Sequence, residues 1–291
     1  MNYNPAPILV VANPVAGSFR HRHLMRLAER LDRLGRRSDI WLTRYPGELT
    51  EIAESLPDSV RTLVVGGGDG SINEAITGLL RRKGHVPDLS ILPFGTANVL
   101  AHELGLPFSP ERLADRIAKG RTKPLNLGMA GERPFALMVS AGFDADVVHA
   151  VDGPTKKRWG KLAYAWAALK LAVAGEGRDV TVEADGQEIV SRLAVVTTAR
   201  FYGGPMKITH GTDVTQPGLR LVSLADDRPL TLAKAAVALG LGRLDRLKAV
   251  TDRDVSEIRF SGDGVLMQID GDRMKASEAV IRAGRVLSVI A

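Results

Sequence analysis

The run Gly66-Gly67-Gly68-Asp69-Gly70-Ser71-Ile72-Asn73-Glu74 directly follows the apolar stretch Leu63 to Val65 and leads into residues with helical spacing. Its four glycines lack Cβ atoms, so backbone N–H groups can approach phosphate oxygens closely, and the N-terminus of the following helix adds partial positive charge. Asp69 is placed to meet a phosphate-bound magnesium ion. A structural reading stands beside this one. Ser71 and Glu74 have the S-x-x-E spacing of a helix capping box, which accounts for those two residues but not for four glycines with an aspartate. No G-x-x-x-x-G-K-[ST] loop occurs, since Gly160-Lys161 is followed by Leu162, and the turn holds no G-x-G-x-x-G, which disfavours dehydrogenase chemistry.

Leu92-Pro93-Phe94-Gly95-Thr96-Ala97-Asn98 repeats the strand, glycine, helix arrangement one unit later. Alone it reads best as a helix start capped by Thr96; beside the first turn it completes a cleft for a nucleotide. Asn13-Pro14-Val15-Ala16-Gly17 places a third polar turn on the same sheet edge. Near the other end, Asp270-Gly271-Asp272 sits between two β-type runs, Val265 to Ile269 and Met274 to Ala276, and taken alone reads as a hairpin turn. Histidine offers no rival centre: His21 and His23 lie among Arg20, Arg22 and Arg26, and His102-Glu103 lacks the second histidine of H-E-x-x-H. Lys156-Lys157-Arg158 precedes an apolar helix from Trp159, an arrangement that suits either an anionic lipid surface or a solvated helix start.

These residues need a scaffold. Ile8 to Ala12, Ile40 to Thr43, Leu63 to Val65 and Ser90 to Leu92 read as strands with helices between them. Such alternation predicts a parallel sheet covered on both faces, with ligands at the carboxyl ends of its strands. After Pro124 the pattern changes to short β-type runs: Phe135 to Val139, Val180 to Glu183, Leu193 to Thr198, Leu219 to Leu224, Glu257 to Phe260 and Val265 to Ile269. These predict an antiparallel sandwich, interrupted by helices over Trp159 to Val173 and Leu230 to Leu241. The division expected is a nucleotide-binding unit over 1–125, to which 280–291 can return, and a β-sandwich over 126–279.

The 291 residues contain no cysteine, which excludes thiol catalysis, disulfides and thiolate metal sites and fits a reducing cytoplasm. Lys and Arg number 39 against 33 Asp and Glu, and the resulting charge of +6 favours acidic partners such as nucleotides or anionic membranes without singling out nucleic acid. The absence of a leader-like start and of a long apolar stretch predicts a soluble, cytoplasmic protein.

NPVAG, GGGDGSINE and LPFGTANVLA resemble, in order and spacing, the successive motifs NP.SG, GGDGT.NE and P.GT.N of the diacylglycerol kinase catalytic domain family. The similarity runs on through Ser140-Ala141-Gly142-Phe143-Asp144-Ala145, Gly160-Lys161-Leu162-Ala163-Tyr164, Phe201-Tyr202-Gly203-Gly204-Pro205 and Asp270-Gly271-Asp272. The resemblance, which extends to sphingosine kinases, implies an α/β nucleotide-binding domain of NAD kinase/diacylglycerol kinase type followed by a C-terminal antiparallel β-sandwich, with ATP between them. It implies transfer of the ATP γ-phosphate to a lipid hydroxyl, with diacylglycerol or a related lipid as acceptor.

Carried over residue by residue, Asn13, Thr43, Gly67, Asp69, Gly70, Ser71, Glu74, Gly95, Thr96 and Asn98 would contact the nucleotide. Asp69 would act through ATP-bound Mg2+, and Asp270, with Asp272 or Asp144, would take the proton from the hydroxyl. Three positions depart from the pattern. The family's DGE is Asp270-Gly271-Asp272, one methylene shorter in the second acid. Val214-Thr215-Gln216-Pro217-Gly218-Leu219 lacks the Asp-Gly pair that helps hold a structural magnesium, so that site is expected to be absent or weak, and Ala16 replaces the usual serine. The expected partners are a lipid substrate and, peripherally, the inner membrane face, with no nucleic acid; a homodimer is left open. The rival readings are an NAD kinase, against which PFGTAN and FYGGP argue, and a lipid- or nucleotide-binding regulator without turnover.

Overall fold

A computed structural model of the chain describes residues 6–151, 167, 168, 170, 171, 178–276 and 278–291. The chain divides into two compact units, one comprising the residues up to Leu125 together with Arg285–Ala291, the other Asn126–Gly284.

The first unit contains β1 (Ile8–Ala12), α1 (His21–Arg33), β2 (Ser38–Leu42), α2 (Glu48–Ser55), β3 (Thr62–Gly67), α3 (Asp69–Arg81), β4 (Asp88–Pro93), α4 (Val99–Glu103) and α5 (Pro110–Lys119), and shares β5 (Thr122–Ala130) with the second. β1 and β3 are almost wholly buried apolar runs, the composition of parallel strands covered on both faces. The strands lie in the order β2-β1-β3-β4 and all run parallel, with Ile8 opposite both Ser38 and Thr62, and Leu63 opposite Leu89. One face is covered by α1, which buries Leu24, Leu27 and Leu31 with α5 residues Leu113, Ala114 and Ile117 against β1 and β4. α2 and α3 pack so closely on each other that a Cβ on Gly78 would lie 2.3 Å from the Thr50 carbonyl oxygen. With all strands parallel, the turns after β1, β3 and β4 emerge at one edge, as the spacing of their glycines predicts.

The second unit contains β6 (Arg133–Phe135), β7 (Met138–Gly142), α6 (Phe143–Ala150), β8 (Val180–Ala184), β9 (Gln187–Ser191), β10 (Leu193–Thr197), β11 (Phe201–Tyr202), β12 (Met206–Lys207), β13 (Leu219–Leu224), α7 (Pro229–Gly240), β14 (Val250–Val255), β15 (Glu257–Ser261), β16 (Met267–Ile269) and β17 (Asp272–Met274). The last strand, β18 (Ala279–Ile290), begins here, where Ala279 to Arg282 pair with β15; its Val289 pairs with Leu89 of β4 in the first unit. One antiparallel sheet has the order β14-β13-β10-β7-β16-β17, and β18, β15, β8 and β9 follow one another in a second antiparallel arrangement. Val139, Ala194, Val196, Leu221 and Met267 from the first meet Val180, Val182, Ile258, Phe260 and Ile281 from the second in one buried core. Inward apolar residues alternating along each strand make this the expected sandwich.

Two of the expected strands are shorter than their apolar runs. The run from Phe135 to Val139 breaks between β6 and β7 because the amides of Ala136 and Leu137 turn toward the carboxylate of Asp270. Val265 leaves its run because its amide closes a turn onto the Gly262 carbonyl at 3.4 Å. The helix expected over Trp159 to Val173 lies outside the described residues, apart from 167, 168, 170 and 171. Among the described residues, no helix is long and apolar enough to cross a membrane.

Candidate functional site

The first unit interlocks its three polar turns. The Asn13 amide donates to the Gly66 carbonyl at 2.8 Å, and its side-chain Nδ2 donates to Ser71 Oγ at 3.4 Å. Phe94 N–H donates to the Gly67 carbonyl at 2.9 Å, while Ser18 N–H donates to the Phe94 carbonyl at 2.8 Å. The backbones of Gly68 and Gly95 touch: a Cβ on Gly95 would stand 2.6 Å from Gly68 Cα. A Cβ on Gly67 would meet Ser71 Cβ and Oγ at 2.5 Å. Glycine is therefore required at Gly68 and Gly95 by the fit of one turn against another, and at Gly67 by Ser71 of its own segment, packing demands that the phosphate argument alone does not contain. Thr43 is brought beside them, its amide donating to the Ala12 carbonyl at 2.9 Å, and Thr96 stands exposed on the same group of turns.

Both capping expectations fail, for one reason each. α3 begins at Asp69 with Gly68 as its N-cap, three residues earlier than a capping box would need, so Ser71 and Glu74 lie inside the helix and the N-cap residue supplies no side-chain cap. Gly70 sits in that turn, and the Glu74 carbonyl accepts from Thr50 Oγ1 at 3.0 Å. α4 begins at Val99, so Thr96 lies outside it; the N-cap position is Asn98, held left-handed at φ 50°. Asn98 closes the β4 turn on itself, accepting from Gly95 N–H at 2.7 Å and donating to the Gly95 carbonyl at 2.8 Å. The cap of α4 comes instead from Asp69, whose two carboxylate oxygens accept from Val99 N–H at 3.1 Å and Leu100 N–H at 3.2 Å.

This arrangement bears on the groups it could hold. The start of the 13-residue α3, with a glycine as its N-cap, suits a phosphate, because helix-end N–H groups and the helix dipole both favour an anion there. Burial pushes the Asp69 carboxyl above its usual range, an effect opposed by the Leu100 and Val99 amides. Among the described residues no group of three His, Cys, Asp or Glu is gathered for a metal ion. Both Asp69 oxygens already accept from amides, so the residues present would fit magnesium only as an ion carried mainly by phosphates and water, the way Mg2+ commonly binds with nucleotides.

In the second unit the three candidate acids have different surroundings. Asp270, left-handed at φ 48°, accepts from the amides of Ala136 at 2.9 Å, Leu137 at 3.0 Å and Met138 at 2.9 Å. Both its oxygens are thus committed to the corner between β6 and β7. Asp272 is exposed on β17 opposite Ile269. Asp144 is buried at 5% exposure and accepts from Ser140 Oγ, Tyr202 Oη and, at 3.0 Å, Gln268 Nε2. Gln268 also accepts from the Gly271 amide at 2.7 Å, so it connects buried Asp144 to the turn that carries Asp272.

Ser140, Tyr202 and Gln268 were not singled out by the sequence as partners of Asp144. The quoted segments around Ser140 and Phe201-Tyr202 carried the first two, but nothing local marks Gln268, which lies 124 residues away from its partner. In the loop that lacks the Asp-Gly pair, Asp213 forms an ion pair with Arg200 at 3.2 Å and accepts from Thr215 N–H and Oγ1. Partial burial and the neighbouring Arg22, Arg26 and Arg20 lower the pKa of His23. Lys156, Lys157, Arg158 and the Gly160 to Tyr164 segment lie outside the described residues.

A parallel α/β unit with three interlocked turns at its strand ends, joined to an antiparallel sandwich, defines a class. Residues 7–130 match the diacylglycerol kinase catalytic domain, and residues 137–290 match the YegS C-terminal NAD kinase beta sandwich-like domain. The chain belongs to the family that combines these two domains.

Its relatives include the diacylglycerol kinase of Bacillus subtilis (strain 168), 27% identical over 206 residues that make up 68% of this chain and 67% of that one. The diacylglycerol kinase of Staphylococcus carnosus (strain TM300) is 26% identical over 180 residues, 61% of this chain and 58% of that one. Among solved structures, a diacylglycerol kinase from Bacillus anthracis str. Sterne superposes with a TM-score of 0.80 at 21% identity, covering 99% of this chain and 98% of that one, and shares the fold.

Proposed function

We propose that the protein is an ATP-dependent kinase that transfers the γ-phosphate to a lipid hydroxyl, with diacylglycerol or a close relative as acceptor. The observation that carries this reading is the interlocking of Asn13, Gly66 to Ser71 and Gly95 at the carboxyl ends of three parallel strands, with glycine as the N-cap of α3. Phosphoryl transfer depends on positioning and charge neutralisation more than on covalent chemistry, and a helix N-terminus behind a glycine turn suits both. Bound Mg2+ supplies charge neutralisation at the phosphates.

The remaining roles belong to the chain. Asp69 fixes the start of α4, and through it the turn holding Thr96 and Asn98, while Asn13 and Ser71 brace the first turn. Thr43 and Glu74 complete the nucleotide set. In the second unit Asp272 takes the hydroxyl proton, because its carboxylate is exposed while those of Asp270 and Asp144 are engaged with donors. Asp270 holds the corner, and Asp144 acts through Gln268 on the turn. The lipid acceptor places the working protein at an anionic inner membrane surface.

The test is phosphate transfer from labelled ATP to a panel of diacylglycerol, monoacylglycerol, sphingosine, phosphatidylglycerol and NAD, with and without Mg2+. A labelled lipid dependent on Mg2+ supports the reading. Labelled NADP alone makes the protein an NAD kinase, and no transfer to any acceptor makes it a binding protein without turnover.

A further inference from the structure

α7 has the sequence PLTLAKAAVALG, whose only charge is Lys234, yet Ala238 is its one buried residue. Its two sides are nevertheless distinct. Leu232, Ala235, Ala238 and Leu239 fall on one side at helical spacing, where Leu232 packs against Phe143, Val147 and Val151. The opposite side carries Leu230, Ala233, Lys234 and Val237, continued by Leu241. Leu230 is 67% exposed, Val237 64% and Leu241 67%. Large aliphatic side chains stacked along one exposed helical stripe are a costly surface in water, and such a stripe marks something that covers it.

We propose that this stripe is a membrane-docking surface, inserted into the interface of a bilayer containing anionic phospholipid. The proposal rests on the lipid-kinase reading for its setting and extends that reading by assigning the surface that meets the lipid. Charge selects this occupant. Residues 229–248 carry Lys234, Arg243, Arg246 and Lys248 against one acid, Asp245, while Arg228 just before them is ion-paired with Asp226. Lys234 lies within the stripe, and Arg243, Arg246 and Lys248 are exposed just beyond its end. Exposed aliphatic residues beside cations are the combination that binds anionic interfaces, the first by burial among acyl chains and the second by attraction to head groups. β12, against which α7 packs, adds the exposed Met206 and the half-exposed Lys207.

A second copy of the chain fits less well. A stable interface needs about 800 Å² from each partner, more than three large side chains on one helix provide, and two-fold pairing would set Lys234 and Arg243 against their own kind.

The test is flotation with vesicles of equal parts phosphatidylglycerol and phosphatidylcholine, beside vesicles of phosphatidylcholine alone. The full chain should float with the anionic vesicles and much less with the neutral ones. Leu230→Ser, Val237→Ser and Leu241→Ser combined should lower partitioning by about 100-fold, from the loss of three buried aliphatic side chains. Lys234→Glu with Arg243→Glu should lower it about tenfold or more on anionic vesicles alone.

Because the chain has no cysteine, Val237→Cys also accepts a single polarity-sensitive dye, whose emission should shift to the blue on anionic vesicles. A dye on Val190→Cys, on exposed β9, should not shift. Unchanged flotation of the triple variant, or a silent dye at position 237, overturns the proposal. So does a dimer in sedimentation velocity that the triple variant abolishes, since the stripe would then be a self-association face.

Turnover on short-chain diacylglycerol in detergent micelles separates the two readings. The triple variant should retain it. Wild-type protein that floats but phosphorylates no lipid refutes the kinase and leaves the docking surface standing, whereas active protein with stripe-independent flotation does the reverse.

Discussion

Asp270→Asn separates a structural aspartate from a chemical one. Three backbone amides converge on the Asp270 carboxylate, two on one oxygen and one on the other. Asparagine tolerates the left-handed φ of 48°, and by keeping its carbonyl oxygen toward Leu137 and Met138 it turns its NH2 against the Ala136 N–H. Leaving that donor unsatisfied costs about 1–3 kcal/mol, and the two surviving bonds lose their charge assistance, for a total of about 2–4 kcal/mol. In a unit of this size each kcal/mol shifts Tm by about 2–4 °C, so the melting midpoint should fall by roughly 5–15 °C.

Asp272→Asn, at an exposed position, should leave Tm unchanged and lower turnover by about 100- to 10,000-fold, the usual worth of a general base. The assays are differential scanning calorimetry and initial rates of lipid phosphorylation below the lower midpoint. If Asp270→Asn melts like the wild type but is inactive, while Asp272→Asn turns over normally, the argument from hydrogen-bond geometry is wrong and Asp270 is the base.

Gly95→Ala places a methyl 2.6 Å from Gly68 Cα and 2.7 Å from Asn98 Oδ1, and should destabilise the first unit by about 1–3 kcal/mol in urea unfolding. Gly67→Val must displace Ser71, with which even a Cβ collides at 2.5 Å, so nucleotide affinity by calorimetry should fall about tenfold or more, and unchanged affinity would remove this turn from the site. Because burial raises the Asp69 pKa, the native state holds that proton to higher pH than the unfolded chain. Its contribution to stability should therefore decline as pH rises from about 4 through the raised value, and Asp69→Asn should abolish that component of the pH profile in urea titrations. Gln268→Leu takes a donor from buried Asp144 and the acceptor from Gly271; it should cost about 1–3 kcal/mol and reduce kcat more than ATP affinity, whereas an unchanged kcat would detach this network from the turn.

What was legible in the sequence followed from local rules. Buried parallel strands read as continuous apolar runs, and the glycine-rich turns at their ends read as one group on a single sheet edge, because composition and spacing are enough to specify both. The misreadings share one cause, which is long-range pairing. Ser71 and Thr96 each satisfy a local capping rule, yet Asp69 reaches the amides of Val99 and Leu100 from 30 residues away. Asp270-Gly271 reads correctly from local rules as the hairpin turn between β16 and β17, but the anchoring of Ala136 to Met138 by the Asp270 carboxylate spans more than 130 residues and has no local signal. The resemblance to a known family placed the acids in a motif but could not say which carboxylate was already occupied by backbone amides.

β18 belongs to both units, its first residues paired with β15 and Val289 paired with β4. On a ribosome this fixes an order of events. The strand neighbouring β4 is made only after the whole intervening unit, so the α/β unit must wait with that edge unpaired while about 160 residues emerge. Closing so long a loop adds little entropy for each further residue but delays the pairing it rewards. The interval is a period of exposure, and a chain stalled anywhere before Val289 would leave the α/β unit with an open edge while the sequence motifs that define it are all already present.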